Sequence, residues 1–225
     1  MHHESWGFQA FEIGDELEFI RWDTLKPYNS TKVVSFEKVN DTDILLRVAF
    51  VPDGIIPDKD VVENITWTPD LYVRNCSFGP TSGRGILATT RGEVIIENNT
   101  FRNLWGPALL IEDDCNFWFE SGYTKNITFR NNNVICCSFN NNRDSSAVIQ
   151  FTPKVMNKDS EIPVHGNLKV YNNRFSHSVH KCHTFYLEYL ENAKIYNNYF
   201  DSEFQILKNK CGEIICTNNV TKYEN

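Results

Sequence analysis

The sequence predicts an all-β protein: a right-handed parallel β-helix at 66–225, preceded by a small antiparallel, barrel-like module at 1–65. Three observations point there. One short strand-and-bend pattern is written six times, a second strand series runs between its copies, and the first 65 residues carry strands and turns without the repeat.

The repeat is clearest at Val94-Ile95-Ile96-Glu97-Asn98-Asn99-Thr100-Phe101, and related copies begin at 71, 127, 168, 193 and 214. Each copy alternates apolar and polar residues, which is the strand signal. Each then passes through one or two Asn, the residue that best tolerates the left-handed conformation of a sharp bend. The spacings are 23, 33, 41, 25 and 21 residues. A period of this size made of strands and bends reads as a solenoid with one coil per copy.

In chain order, three strand candidates come first, at 14–20, 32–37 and 44–51. Turn signals at Asp23-Thr24, Asn40-Asp41 and Pro52-Asp53-Gly54 separate or follow them. Three strands alone are marginal, so this module is expected to lean on the solenoid. The second strand series lies at 85–90, 108–114, 147–151, 184–188 and 205–209. Its expected inward column is Ile86, Leu109, Val148, Phe185 and Ile206, which also places Gln150 and Lys208 inside. The opposite choice buries Glu112 and Glu188, a larger desolvation cost. The two long spacings hold insertions near 115–126 and 153–167, at the same corner of consecutive coils. Insertions on one face of a solenoid usually build a binding wall.

Composition narrows the function. A chain 41% hydrophobic and 23% charged is not disordered. No run reaches the roughly 18 apolar residues of a membrane span. The net charge of -7 comes without a Lys/Arg cluster, which argues against nucleic acid. Seven Cys lack paired CxxC spacing, so buried thiols are expected rather than disulfides or structural zinc. His177, His180 and His183 beside Cys182 match no standard closed metal site, and no metal or other cofactor is expected.

Clustered carboxylates beside aromatics suit a sugar: the acids supply proton transfer and the rings stack on pyranose faces. Asp113 and Asp114 are the candidate catalytic pair, with Glu112, Glu120, Trp105, Trp118 and Tyr123 around them. Glu188 shares a column with Glu112 two coils away, roughly 9.6 Å by strand spacing, near the wide carboxyl separation of inverting glycosidases. The alternative is that these acids are solvated, or cap the backbone of the insertion. Arg84, Arg91 and Arg102 bind a sugar hydroxyl or, more often, pair with acids.

Tyr72-Val73-Arg74-Asn75-Cys76-Ser77-Phe78, Arg84-Gly85-Ile86-Leu87, the copy at 94–101 and Gly106-Pro107-Ala108-Leu109-Leu110-Ile111-Glu112-Asp113-Asp114 carry a resemblance to a known family. They resemble the exo-acting α-1,3-galactosidases of glycoside hydrolase family 110, which remove the terminal galactose of blood-group-B-type glycans. Glu4-Ser5-Trp6-Gly7-Phe8 and Gly14-Asp15-Glu16 resemble that family's small barrel, inserted in its β-helix, and Glu4 joins the substrate-binding candidates. The resemblance implies an inverting hydrolase without metal, a galactose-terminated oligosaccharide as partner and a periplasmic or extracellular location. Family members are much longer and resemble other β-helix glycosidases in carrying paired aspartates upstream of the barrel. This chain is then expected to be the C-terminal part of such an enzyme, without some or all of its catalytic acids, and Asp113 and Asp114 then line the sugar pocket without being the acid–base pair. A noncatalytic carbohydrate-binding or structural β-helix is the competing reading.

Overall fold

The computed structural model describes residues 11–41, 43–118, 120, 122–139, 146–176 and 182–222. Four strands form an antiparallel sheet: β1 (Glu16–Arg21), β2 (Lys26–Lys38), β3 (Ile44–Val48) and β4 (Val61–Asn64), ordered β3-β2-β1-β4. The sequence pattern locates β1 to β3 but misses β4, whose four residues lie between turn signals and carry little alternation. β2 also begins six residues before its expected start, because Pro27 and Asn29 interrupt the apolar pattern while still pairing with β1.

From Leu71 onward every coil contributes up to three strands. The first two coils hold β5 (Leu71–Arg74), β6 (Ser77–Phe78), β7 (Ile86–Leu87), β8 (Glu93–Glu97), β9 (Thr100–Leu104) and β10 (Leu109–Ile111). The next two hold β11 (Asn126–Arg130), β12 (Asn133–Cys137), β13 (Ala147–Phe151), β14 (His165–Tyr171), β15 (Arg174–Ser176) and β16 (His183–Glu188). The last strands are β17 (Leu190–Tyr196), β18 (Tyr199–Phe200), β19 (Ile206–Asn209), β20 (Glu213–Thr217) and β21 (Val220–Thr221). They stack into three parallel sheets, β5-β8-β11-β14-β17-β20, β6-β9-β12-β15-β18-β21 and β7-β10-β13-β16-β19. The chain is a parallel β-helix behind a small antiparallel module.

Register follows the sequence copies residue for residue: Leu71, Val94, Ile127, Leu168, Ala193 and Ile214 lie side by side. The first Asn of each bend is left-handed, with φ of 57° at Asn98, 54° at Asn131, 56° at Asn172 and 55° at Asn197. The second Asn turns inward and builds a ladder. Asn99 and Asn132 donate through both backbone and side chain to the next carboxamide oxygen, and Asn173 and Asn198 continue to Asn219. Each amide also donates to a carbonyl one coil back, Asn132 to Ile96 and Asn173 to Phe129. Beside the ladder runs a ring stack, Phe78, Phe101, Phe129, Phe175 and Phe200, with centroids 4.9 to 6.5 Å apart.

One column needs correction. Ile149, not Val148, stands beside Leu109 and Phe185. In β13 Ala147, Val148 and Ile149 are all apolar and buried, so alternation gives no parity there. The shift turns Gln150 half outward. Lys208 keeps the inward column beside Leu187, but it is exposed in the terminal coil.

The two insertions connect β10 to β11 and β13 to β14, leaving the coil at the same corner. They pack against the antiparallel module. Leu25, Cys115, Val155, Val164 and Tyr189 form a second core with Trp22, Val61 and Tyr123 against it. The carbonyl of Asp23 accepts from the amides of Met156 and Asn157 at 2.9 and 2.8 Å. The lean expected of the small module is thus made through the β1–β2 turn.

Candidate functional site

The site candidates gather where β10 ends. Leu109, Leu110 and Ile111 are buried, and the chain leaves the coil at Glu112. Asp114 and Glu120 exchange both backbone hydrogen bonds, at 2.8 and 3.0 Å, closing the neck of the first insertion. Asp114 Oδ1 accepts from the amides of Asn116 and Phe117, each at 3.0 Å, an Asx turn that shapes the loop. The Asp114 carboxylate therefore caps the insertion backbone.

Asp113 points the other way and is 1% exposed, so it is a buried carboxyl and not a solvated one. Its Oδ1 has no hydrogen-bond partner among the described residues. Burial pushes its pKa up to about 8; Glu63 adds to the rise, Arg91 opposes it, and Asp114 and Glu120 add further. Such a carboxyl holds its proton at neutral pH, the state a general acid needs.

Arg91 is the cation beneath it. Its guanidinium binds Glu18 at 2.5 Å and Glu63 through two nitrogens, and lies 4.5 Å from the Tyr123 ring. Glu18 and Glu63 stand directly opposite across β1 and β4, a like-charge pair that is unfavourable by itself. Arg91, donated by the solenoid, resolves the conflict and ties the two parts of the chain together. The sequence leaves Arg91 open between ligand and acid partner because the pair of Glu appears only once β4 is known. Gly122 sits in the same junction with φ of 123°, and a Cβ there would lie 3.1 Å from Glu63 Oε1.

On the outer face a cleft of about 430 Å³ is lined by Arg84, Trp105, Leu110, Glu112, Gln150 and Lys154, among others. Glu112 pairs with Lys154 at 2.5 Å. The Glu120 carboxyl is raised by burial and by Glu112, against the opposing charge of Arg84, so these groups share one field. Trp105 is 44% exposed and stacks on Phe139 at 6.4 Å. The structure thus brings Glu112, Asp113, Asp114 and Glu120 to one corner with Trp105 on its rim.

Other candidates lie apart. Trp118 is exposed and meets Phe117 edge-on at 5.0 Å. Glu188 follows the Glu112–Thr152 column set by β10, β13 and β16, and it accepts from Asn209 at 3.0 Å. Tyr186 donates to the same carboxylate, and burial with Glu188 pushes that phenol up to about 12. Glu4, His177 and His180 lie outside the described residues, among which no cluster of metal-ligating side chains occurs. No helix among the described residues is long and apolar enough to cross a membrane.

Comparison with known proteins places these features in context. The family model for the GLAA-B β-barrel domain II matches residues 1–62. Alpha-1,3-galactosidase A of Bacteroides fragilis is 38% identical over 178 residues, 78% of this chain and 29% of that enzyme. The enzyme of the same name from Akkermansia muciniphila is 37% identical over 177 residues, 78% of this chain and 28% of its own length. Alpha-1,3-galactosidase B of Bacteroides thetaiotaomicron is 33% identical over 176 residues, with the same two shares. The chain spans under a third of the length of these curated relatives.

Proposed function

Because the chain belongs to glycoside hydrolase family 110, we propose that it supplies the acidic sugar-binding part of an inverting exo-α-1,3-galactosidase. The proposed substrate is the terminal α-galactose of blood-group-B-type glycans, met outside the cytoplasm. The observation that carries this reading is the gathering of Glu112, Asp113, Asp114 and Glu120 at one corner, with one carboxyl held near neutral pKa and Trp105 beside the cleft.

The roles follow from the chemistry. Glu112 and Glu120 accept hydrogen bonds from sugar hydroxyls, charge-assisted and so stronger than neutral ones. Trp105 offers a ring face to galactose. Asp113, held protonated, fits proton donation, whereas Asp114 is committed to the loop and keeps the neck in place. Buried beneath the neck, Asp113 is not among the residues lining the cleft, so donation requires the neck to open.

The chain corresponds to under a third of its relatives, so hydrolysis by the isolated chain is expected to be weak or absent while binding persists. Absence of an acid or base costs a factor of about 10²–10⁴. Purified chain is titrated with an α-1,3-galactosyl disaccharide and assayed for released galactose. Saturable binding with little turnover is the expected result; failure to bind at millimolar sugar rejects the reading, and turnover at an ordinary enzymatic rate places every catalytic acid within these residues.

A further inference from the structure

We infer that Lys154, at the root of the second insertion, is a positioning residue for sugar recognition: it fixes one oxygen of the Glu112 carboxylate so that the other meets a hydroxyl of galactose. The inference rests on the reading of the outer cleft as the galactose site and adds to it a residue from the neighbouring coil.

Backbone geometry brings the two side chains together. Leu109, Leu110 and Ile111 of β10 lie beside Ile149, Gln150 and Phe151 of β13. The pairing runs on past both strands. The amide of Thr152 donates to the carbonyl of Ile111 at 2.9 Å, and that of Lys154 to the carbonyl of Asp113 at 2.8 Å. Between them stands Pro153, which has no amide to donate and a fixed φ. Lys154 is thus held by its backbone, and its Nζ reaches across to Glu112 Oε1 at 2.5 Å. Both residues line the cleft, together with Arg84, Trp105 and Gln150.

Charge explains what a cation does there. Glu112 and Glu120 act on each other as like charges; Arg84 opposes the effect at Glu120, and Lys154 binds Glu112. The Glu112 side chain is 15% exposed but that of Lys154 is 47% exposed. A pair this open to water adds little to stability. Its effect is on recognition. A glutamate tied at one oxygen has fewer rotamers to lose when the sugar binds. The cation also favours the ionised form of its partner, the form that accepts a charge-assisted hydrogen bond.

The test is a galactose titration of the 225-residue chain, of Lys154→Met and of Lys154→Arg, repeated from neutral into acid pH with the fold followed by circular dichroism. Lys154→Met should weaken binding about fivefold or more at neutral pH. On acidification it should lose binding at a higher pH than the parent, because a proton competes better once the cation is gone. Lys154→Arg keeps the charge and should return that acid limb to the parent's position. A purely structural loss would instead lower affinity by one factor at every pH. The inference is overturned if Lys154→Met binds as tightly as the parent or tighter, if its acid limb does not move, or if Lys154→Arg behaves as Lys154→Met does. A parent chain that binds no galactose overturns the proposed function as well, whereas a binding parent with an unaltered Lys154→Met overturns only the part assigned to Lys154.

Discussion

Two corners of the same coils obey different rules. At the Asn corner the coils from Asn98 to Asn198 repeat one solution: a left-handed first Asn and an inward second Asn whose amide closes onto the next coil. At the insertion corner no two coils agree. One sends out a loop pinned by Asp114, the next a loop held by Asp23 and Lys210, and buried charges collect between them and the antiparallel module. Repetition makes a corner stable; departure from it makes room for chemistry.

The largest effect is expected at the junction of the irregular corner. Arg91→Ala leaves Glu18 and Glu63 facing each other half-buried, and breaking such a pair costs about 3–5 kcal/mol. Urea unfolding measures it, and adding Glu63→Gln should return part of the loss. A loss below about 1 kcal/mol would mean that the junction is solvated.

Next comes the ladder. Asn173→Ala removes an amide that serves four partners and leaves buried groups unpaired, about 3 kcal/mol. Asn219→Ala, in the last coil and half-exposed, should cost about a third of that. Equal losses at both positions would show that ladder rungs do not reinforce one another. Smaller still, Asn172→Ala is expected to cost about 1–2 kcal/mol for its positive φ, and Asn172→Gly close to nothing.

The corners also differ in pH response. Asp113 has a folded pKa of about 8, above its unfolded value, so its contribution is complete below about pH 4 and lost as pH rises through about 8. Asp113→Asn should flatten that decline and stabilise the chain at alkaline pH. His165 acts oppositely: burial lowers its pKa to about 3, so its contribution is present above about 6.5 and lost as pH falls toward 3. Thermal unfolding across pH, with Asn173→Ala as a variant that should not alter the profile's shape, checks both signs.

The difference between the corners also decides what the sequence reveals. All six coil registers and the left-handed Asn positions are legible because each residue is constrained by a neighbour of its own kind. The inward ladder is half legible: paired Asn are visible, but which one turns inward depends on backbone geometry. At the other corner, Glu112 to Asp114 stand out as an acidic run, yet their opposite environments do not. One Asp caps a loop and its neighbour is buried under another part of the chain, and nothing local distinguishes them. Arg91 and His165 acquire meaning only through Glu18, Glu63 and Thr124, all distant in sequence.

The most direct test of the irregular corner as the sugar site is a galactose titration of four proteins: the parent chain, Glu112→Gln, Trp105→Ala and Glu188→Gln. The account predicts millimolar binding that weakens about tenfold on loss of the Glu112 charge or the Trp105 ring. Glu188→Gln should bind as the parent does. Four identical titrations, or no binding by any of the four, would contradict it.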